Sequence, residues 1–202
     1  MQTFNATYWN NRWQNQDTGW DIGNASTPLT KYIDQLTDNN IAILIPGCGN
    51  AYEAEHLLSK GFTNITLLDI SAVLVNELTN RLQPHLSKGL QIICGDFFEH
   101  SASYDLILEQ TFFCALQPSQ REAYAQHMHS LLKPGGRLAG LLFNKDFTSG
   151  PPFAGNSEEY KLLFDKYFII EKMDPCYNSI PLRQGSELFF ILKKKDWKAE
   201  QK

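Results

Sequence analysis

Cysteine is scarce in this chain and follows no pattern. Cys48, Cys94, Cys114 and Cys176 stand far apart among 202 residues, and none forms a C-x-x-C pair. That excludes a disulfide-stapled scaffold and points to reduced thiols in the cytoplasm. An excess of positive charge is also missing, since 18 basic residues against 22 acidic ones leave −4. A binder of phosphate backbones needs such an excess, so no nucleic-acid partner is expected. No apolar run approaches the ~20 residues that span a bilayer, so no membrane partner is expected. The first residues lack a basic stretch leading into an apolar one, which excludes a secretory signal. His127 and His129 lie two apart on a predicted helix and point to different faces, so no metal site is expected. Repeats and breaks in composition are absent as well, and residues 1–202 read as one domain.

What is present is an ordinary apolar content of 43%. A domain of this length buries roughly 70% of its unfolded surface, enough for a core. One feature is out of place: Trp9, Trp13 and Trp20, three of the four tryptophans, fall in the first 20 residues.

Residues 41–46 are a continuous apolar run ending in a glycine-rich turn, the pattern of a strand buried on both faces. A helix over 51–60 follows, closed by Gly61, then a strand from Ile65 to Asp69 and a helix over 72–86. Leu90 to Cys94 and Tyr104 to Leu108 read as further strands, and 119–132 as a helix stopped by Lys133-Pro134-Gly135-Gly136. Leu138 to Phe143 is a fifth strand, 157–166 a helix, and Tyr167 to Met173 and Glu187 to Leu192 the last two strands. The alternation predicts a doubly wound, mostly parallel α/β sheet of seven strands. The last two strands are joined by a loop without a crossover helix, which predicts an antiparallel edge strand. Residues 1–40 read as helices and loops packed over this sheet.

Three features fall at the ends of three consecutive strands, where open α/β sheets bind ligands. Pro46-Gly47-Cys48-Gly49-Asn50 follows the first strand. Glycine there permits a sharp turn and close approach of a ligand to the backbone, although a plain tight turn would look the same. A dinucleotide fingerprint would place a third glycine three residues after Gly49, where this chain has Tyr52. Asp69 ends the second strand and can accept from both hydroxyls of a ribose, or serve as a helix cap, a role Ser71 also fills. Gly95-Asp96-Phe97-Phe98 follows the third strand, and an acid beside an aromatic suits an adenine.

These residues resemble those of class I S-adenosylmethionine-dependent methyltransferases, whose fold is Rossmann-like. More narrowly, the chain resembles the thiopurine S-methyltransferase family, especially its halide and thiol methyltransferase branch. The resemblance is carried by Tyr8-Trp9-Asn10-Asn11-Arg12-Trp13, Thr18-Gly19-Trp20-Asp21, Pro46-Gly47-Cys48-Gly49, Leu68-Asp69-Ile70-Ser71, Gly95-Asp96-Phe97-Phe98, Thr111-Phe112-Phe113-Cys114-Ala115, Leu132-Lys133-Pro134-Gly135-Gly136 and Gly150-Pro151-Pro152-Phe153. It implies S-adenosyl-L-methionine as cofactor, with residues 1–40 as a helical lid and Trp9, Trp13 and Trp20 contacting the sulfonium cation. It implies that Gly47 and Gly49 line the methionine portion, that Asp69 holds the ribose, and that Asp96 with Phe97 holds the adenine. Glu109 falls near the sulfonium, in a Glu109-Gln110 pair where relatives often have aspartate followed by an aromatic or arginine. Phe112, Phe113 and Tyr160 are expected to line the acceptor pocket, with packing in the core as the alternative for the two phenylalanines. Arg183 is the candidate cation for drawing in an anionic acceptor. The activity implied is methyl transfer to a small soft nucleophile, a thiol, thiopurine-like thiol, halide or thiocyanate, by a monomer or weak dimer. An oxygen or nitrogen acceptor, or a catalytically silent scaffold, are the alternatives.

Overall fold

Isoleucine and leucine concentrate in the segments that become strands, and the computed structural model of the chain, which describes residues 4–196, places seven such segments in one mixed sheet. The strands are β1 (Ile43–Pro46), β2 (Ile65–Asp69), β3 (Leu90–Cys94), β4 (Tyr104–Gln110), β5 (Leu132–Phe143), β6 (Phe168–Pro175) and β7 (Glu187–Lys194). The helices are α1 (Ala6–Gln14), α2 (Thr27–Ile33), α3 (Tyr52–Ser59), α4 (Ala72–Arg81), α5 (Gln83–Leu86), α6 (Arg121–Leu131) and α7 (Ser157–Phe164). Two compact units divide these elements, one up to His100 and one from Ser101 onward.

In the first unit β2 lies between β1 and β3, parallel to both. All four β1 residues are buried, and Ile43 and Leu44 have no exposure at all. A strand covered on both faces has no polar side to alternate with, which is why β1 reads as an unbroken apolar run. The single helix predicted over 72–86 is two. Leu82 leaves the helical region and Pro84 opens α5. Proline there has no N–H to donate, and its ring would meet the carbonyl four residues back.

In the second unit β5 runs parallel to β4, and β7 runs antiparallel to both β5 and β6. The last two strands therefore form the antiparallel pair the short connection predicts, with β7 inside and β6 beyond it. The turn predicted at Lys133–Gly136 lies within β5. Tyr104 pairs with Leu132 and Leu106 with Arg137, so the intervening residues bulge out of the ladder. The core of this unit is aromatic: Phe113, Tyr124, Tyr160, Phe164, Phe168 and Phe190 are all fully buried. Among the described residues no helix is long and apolar enough to cross a membrane.

Candidate functional site

The turn after β1 is built on left-handed backbone. Gly47, Gly49 and Ala51 have φ of 55°, 51° and 55°. A Cβ on Gly49 would meet nothing within 4 Å, so conformation rather than crowding calls for glycine there, and the space beside it is open. Cys48 between the two glycines is buried, and burial and the charge of Asp69 push its thiol far above its ordinary range. It is a packing residue of the turn.

Asp69 ends β2 and joins its tip to that turn. Its Oδ1 accepts the Ser71 N–H at 2.9 Å, and the carboxylate is also bonded by the N–H groups of Gly49 and Ile70. Burial pushes the carboxyl up to about 6, against the downward pull of those amides. The cap of α4 is Ser71, whose hydroxyl accepts from Leu74 N–H. Asp69 is thus fixed by the backbone without being spent as a cap. Asp96, after β3, is exposed and accepts the Phe98 N–H at 2.8 Å, opening a single 3-10 turn over Phe97–Glu99. Phe97 is buried against Phe98, and Phe98 is the more exposed ring of the pair.

The three tryptophans come together, with Trp20 at the centre. Its ring meets Trp9 edge-on at 5.5 Å and Trp13 at 5.8 Å. The i, i+4 spacing of Trp9 and Trp13 on α1 sets both against it. The Arg12 guanidinium lies 4.9 Å over the Trp20 ring and is bonded to Tyr8 Oη at 2.9 Å and to Asp17. A cation from the chain itself therefore rests on Trp20, an arrangement the motif spacing does not announce. Two side chains tie this segment down: Asn10 accepts from Ser71 and Val73, and Asp21 accepts from Asn50 and Tyr52. Asn10, Arg12 and Asp21 stand in the stretches that carry the family resemblance, but no role was expected of them from the sequence.

In the second unit Glu109 has no exposure. Its Oε1 accepts the N–H groups of Phe112 at 2.7 Å and Phe113 at 2.8 Å, while Oε2 is buried with no hydrogen-bond partner. Burial, reinforced by the charge of Glu187, pushes its carboxyl up to about 7. The turn it holds includes Thr111 at φ 60°, a strained conformation for a β-branched residue. Phe113 sits in the aromatic core, and Phe112 is half-buried. Tyr160 is a core residue whose hydroxyl donates to the Phe143 carbonyl at 2.7 Å. Arg183 lies 5.3 Å over the Phe143 ring and pairs with Glu187 at 3.3 Å, so a buried acid offsets its charge.

The family model described as Thiopurine S-methyltransferase (TPMT) matches residues 4–185. The chain is 35% identical over 158 residues to "Probable thiol methyltransferase 2" of Arabidopsis thaliana, covering 76% of this chain and 69% of the relative. It is 27% identical to "Thiocyanate methyltransferase 1" of the same plant, covering 89% and 81%, and 26% identical to "Thiopurine S-methyltransferase" of Pseudomonas fluorescens, covering 83% and 85%. Among solved structures it is similar to a Burkholderia thailandensis 1,6-didemethyltoxoflavin-N1-methyltransferase crystallised with S-adenosylhomocysteine, with TM-score 0.75, 17% identity and coverage of 95% and 87%. A second is an S-adenosylmethionine-dependent methyltransferase from Clostridium acetobutylicum, with TM-score 0.70, 15% identity and coverage of 94% and 100%. The fold is that of the class I methyltransferases.

Proposed function

This chain belongs to the thiopurine S-methyltransferase family, and from that premise we propose that it transfers the methyl group of S-adenosylmethionine to a small, soft sulfur nucleophile. The observation that carries the cofactor assignment is Asp69, fixed at the tip of β2 by three backbone N–H groups, with Gly49 and open space beside it. That arrangement fits a ribose: the carboxylate is immobile, partly buried and still able to accept. Asp96 and the Phe97-Phe98 pair take the adenine side in this reading, and Gly47 and Gly49 the methionine side. The segment from Trp9 to Trp20 forms a lid whose rings face a cation and keep water out.

Bound S-adenosylmethionine supplies a methyl group already activated on a positive sulfur. The chain's part is to hold an acceptor in line and strip its water, and such positioning contributes about 7–11 kcal/mol in favourable cases. In the second unit Glu109 holds the turn of Phe112 and Phe113; we assign the half-buried Phe112 to the acceptor wall, whereas Phe113, expected there too, is a core residue. Arg183 lends that side a cation, tempered by Glu187. Thiocyanate and halides are soft anions of the same class and extend the expected acceptor range.

The test is an acceptor panel. With S-adenosylmethionine present, hydrogen sulfide and aryl thiols should each give S-adenosylhomocysteine and the methylated sulfur compound. A protein that binds the cofactor yet methylates no sulfur acceptor would refute the proposal.

A further inference from the structure

The tryptophan segment is hydrogen-bonded at both ends, and each anchor lies beside a residue assigned to the cofactor. At one end is Asn10, next to Trp9. Its carboxamide oxygen accepts from the Ser71 hydroxyl at 2.8 Å and from the Val73 N–H at 3.2 Å. The same Ser71 gives its own N–H to Asp69. At the other end is Asp21, next to Trp20, whose Oδ2 accepts from Asn50 Nδ2 and, at 3.3 Å, from Tyr52 Oη. Asn50 follows Gly49. Tyr52 stands where a dinucleotide fingerprint would carry its third glycine, and its phenol serves as an anchor instead.

α1 has no fully buried side chain. Apolar burial therefore holds it weakly, and a helix of nine residues has little stability of its own. The directional bonds at its ends carry a correspondingly larger share. Val73 N–H is one of the first-turn donors of α4 that have no partner within the helix, and Asn10 supplies the missing acceptor from another element.

We propose that Asn10 is a positioning residue for cofactor binding: its carboxamide ties the tryptophan lid to Ser71, and through Ser71 to Asp69, so that covering the cofactor and gripping its ribose are one event. This rests on the S-adenosylmethionine reading above. Loss of the carboxamide leaves Asp69 in place but sets the lid loose, so closure must be bought from binding energy each time a cofactor enters.

Two variants of the full chain separate this from a merely structural role. Asn10→Leu keeps the size and loses the acceptor. Asn10→Asp keeps the acceptor and places a negative charge at the N-terminus of α4, where it is favourable. Calorimetry with S-adenosylhomocysteine and steady-state kinetics are read for both, and thermal unfolding of the unliganded proteins reports on the fold. Asn10→Leu should raise Kd for S-adenosylhomocysteine and KM for S-adenosylmethionine about tenfold, about 1.4 kcal/mol. Its kcat at saturation should stay within about twofold of wild type. Asn10→Asp should bind within about threefold of wild type. A wild-type Kd in Asn10→Leu, a fall in kcat with KM unchanged, or equal damage from Asp and Leu would each overturn the proposal. A wild-type protein that binds no S-adenosylhomocysteine would overturn the cofactor reading and the latch with it. Binding by wild type and Asn10→Leu alike would overturn the latch alone.

Discussion

Burial pushes two carboxyls up, the half-buried Asp69 to about 6 and the fully buried Glu109 to about 7. Asp69 is the group we assign to the ribose, so its ionised form is the one that binds. Asp69→Ala should weaken cofactor affinity about ten- to a hundredfold, as loss of a charged acceptor does. In wild type the Kd for S-adenosylhomocysteine should be flat above pH 7. It should rise as pH falls below about 6, by no more than about tenfold per unit because one proton is involved. Calorimetry between pH 5 and 8 reads both effects, and an affinity independent of pH in wild type would count against Asp69. Glu109 tests the energetics instead. Its folded carboxyl binds a proton more tightly than in the unfolded chain, so its contribution to stability is full below about 4.5 and is lost as pH rises through about 7. Glu109→Gln keeps an oxygen for the Phe112 and Phe113 N–H groups and removes the buried charge. Its stability relative to wild type should improve by roughly 2 kcal/mol between pH 5 and pH 8, measured by denaturant unfolding at each pH. A gap that does not change with pH would show that Glu109 is not titrating in the fold. Asp69 was legible in the sequence because it ends a strand and has Ser71 to relieve it as a cap. The clamp of Glu109 on two backbone N–H groups was not, since nothing in a residue's type says which amides its oxygens will meet. Arg12 on Trp20 was hidden for the same reason.

The strands and helices themselves were readable because their patterns come from burial, and burial leaves a period in the sequence. Their ends were not. β4 runs to Gln110, two residues past the predicted Leu108, which puts Glu109 inside the ladder opposite Gly140. The pairing explains that glycine. A Cβ on Gly140 would fall 2.2 Å from the Glu109 carbonyl oxygen, too close for any side chain. Gly140→Ala must therefore push β4 and β5 apart, and it should cost about 2–4 kcal/mol, read as a lower denaturant midpoint. An unchanged midpoint would mean the two strands do not approach as described. The bulge at Lys133–Gly136 and the break at Pro84 are further places where local chemistry and tertiary pairing disagree. In the first the turn residues remain, while the pairing of Leu132 with Tyr104 carries the strand past them. In the second proline acts as its chemistry demands and divides the stretch read as one helix over 72–86.

For the whole molecule, an acidic chain with no repeats and three tryptophans near its start carries a seven-stranded mixed sheet and the family's motifs from residue 4 to 185. Composition alone named no chemistry. The chemistry came from three strand tips and a tryptophan segment tied down beside two of them. Whether the acceptor atom is sulfur depends on the walls of the acceptor pocket, which burial patterns do not encode. The most direct measurement is a competition in one vessel: thiophenol, phenol and aniline at equal concentration with methyl-labelled S-adenosylmethionine, the products resolved by mass. The label should appear predominantly in the methyl thioether. Label predominantly in the methoxy or N-methyl product would refute a sulfur-directed enzyme.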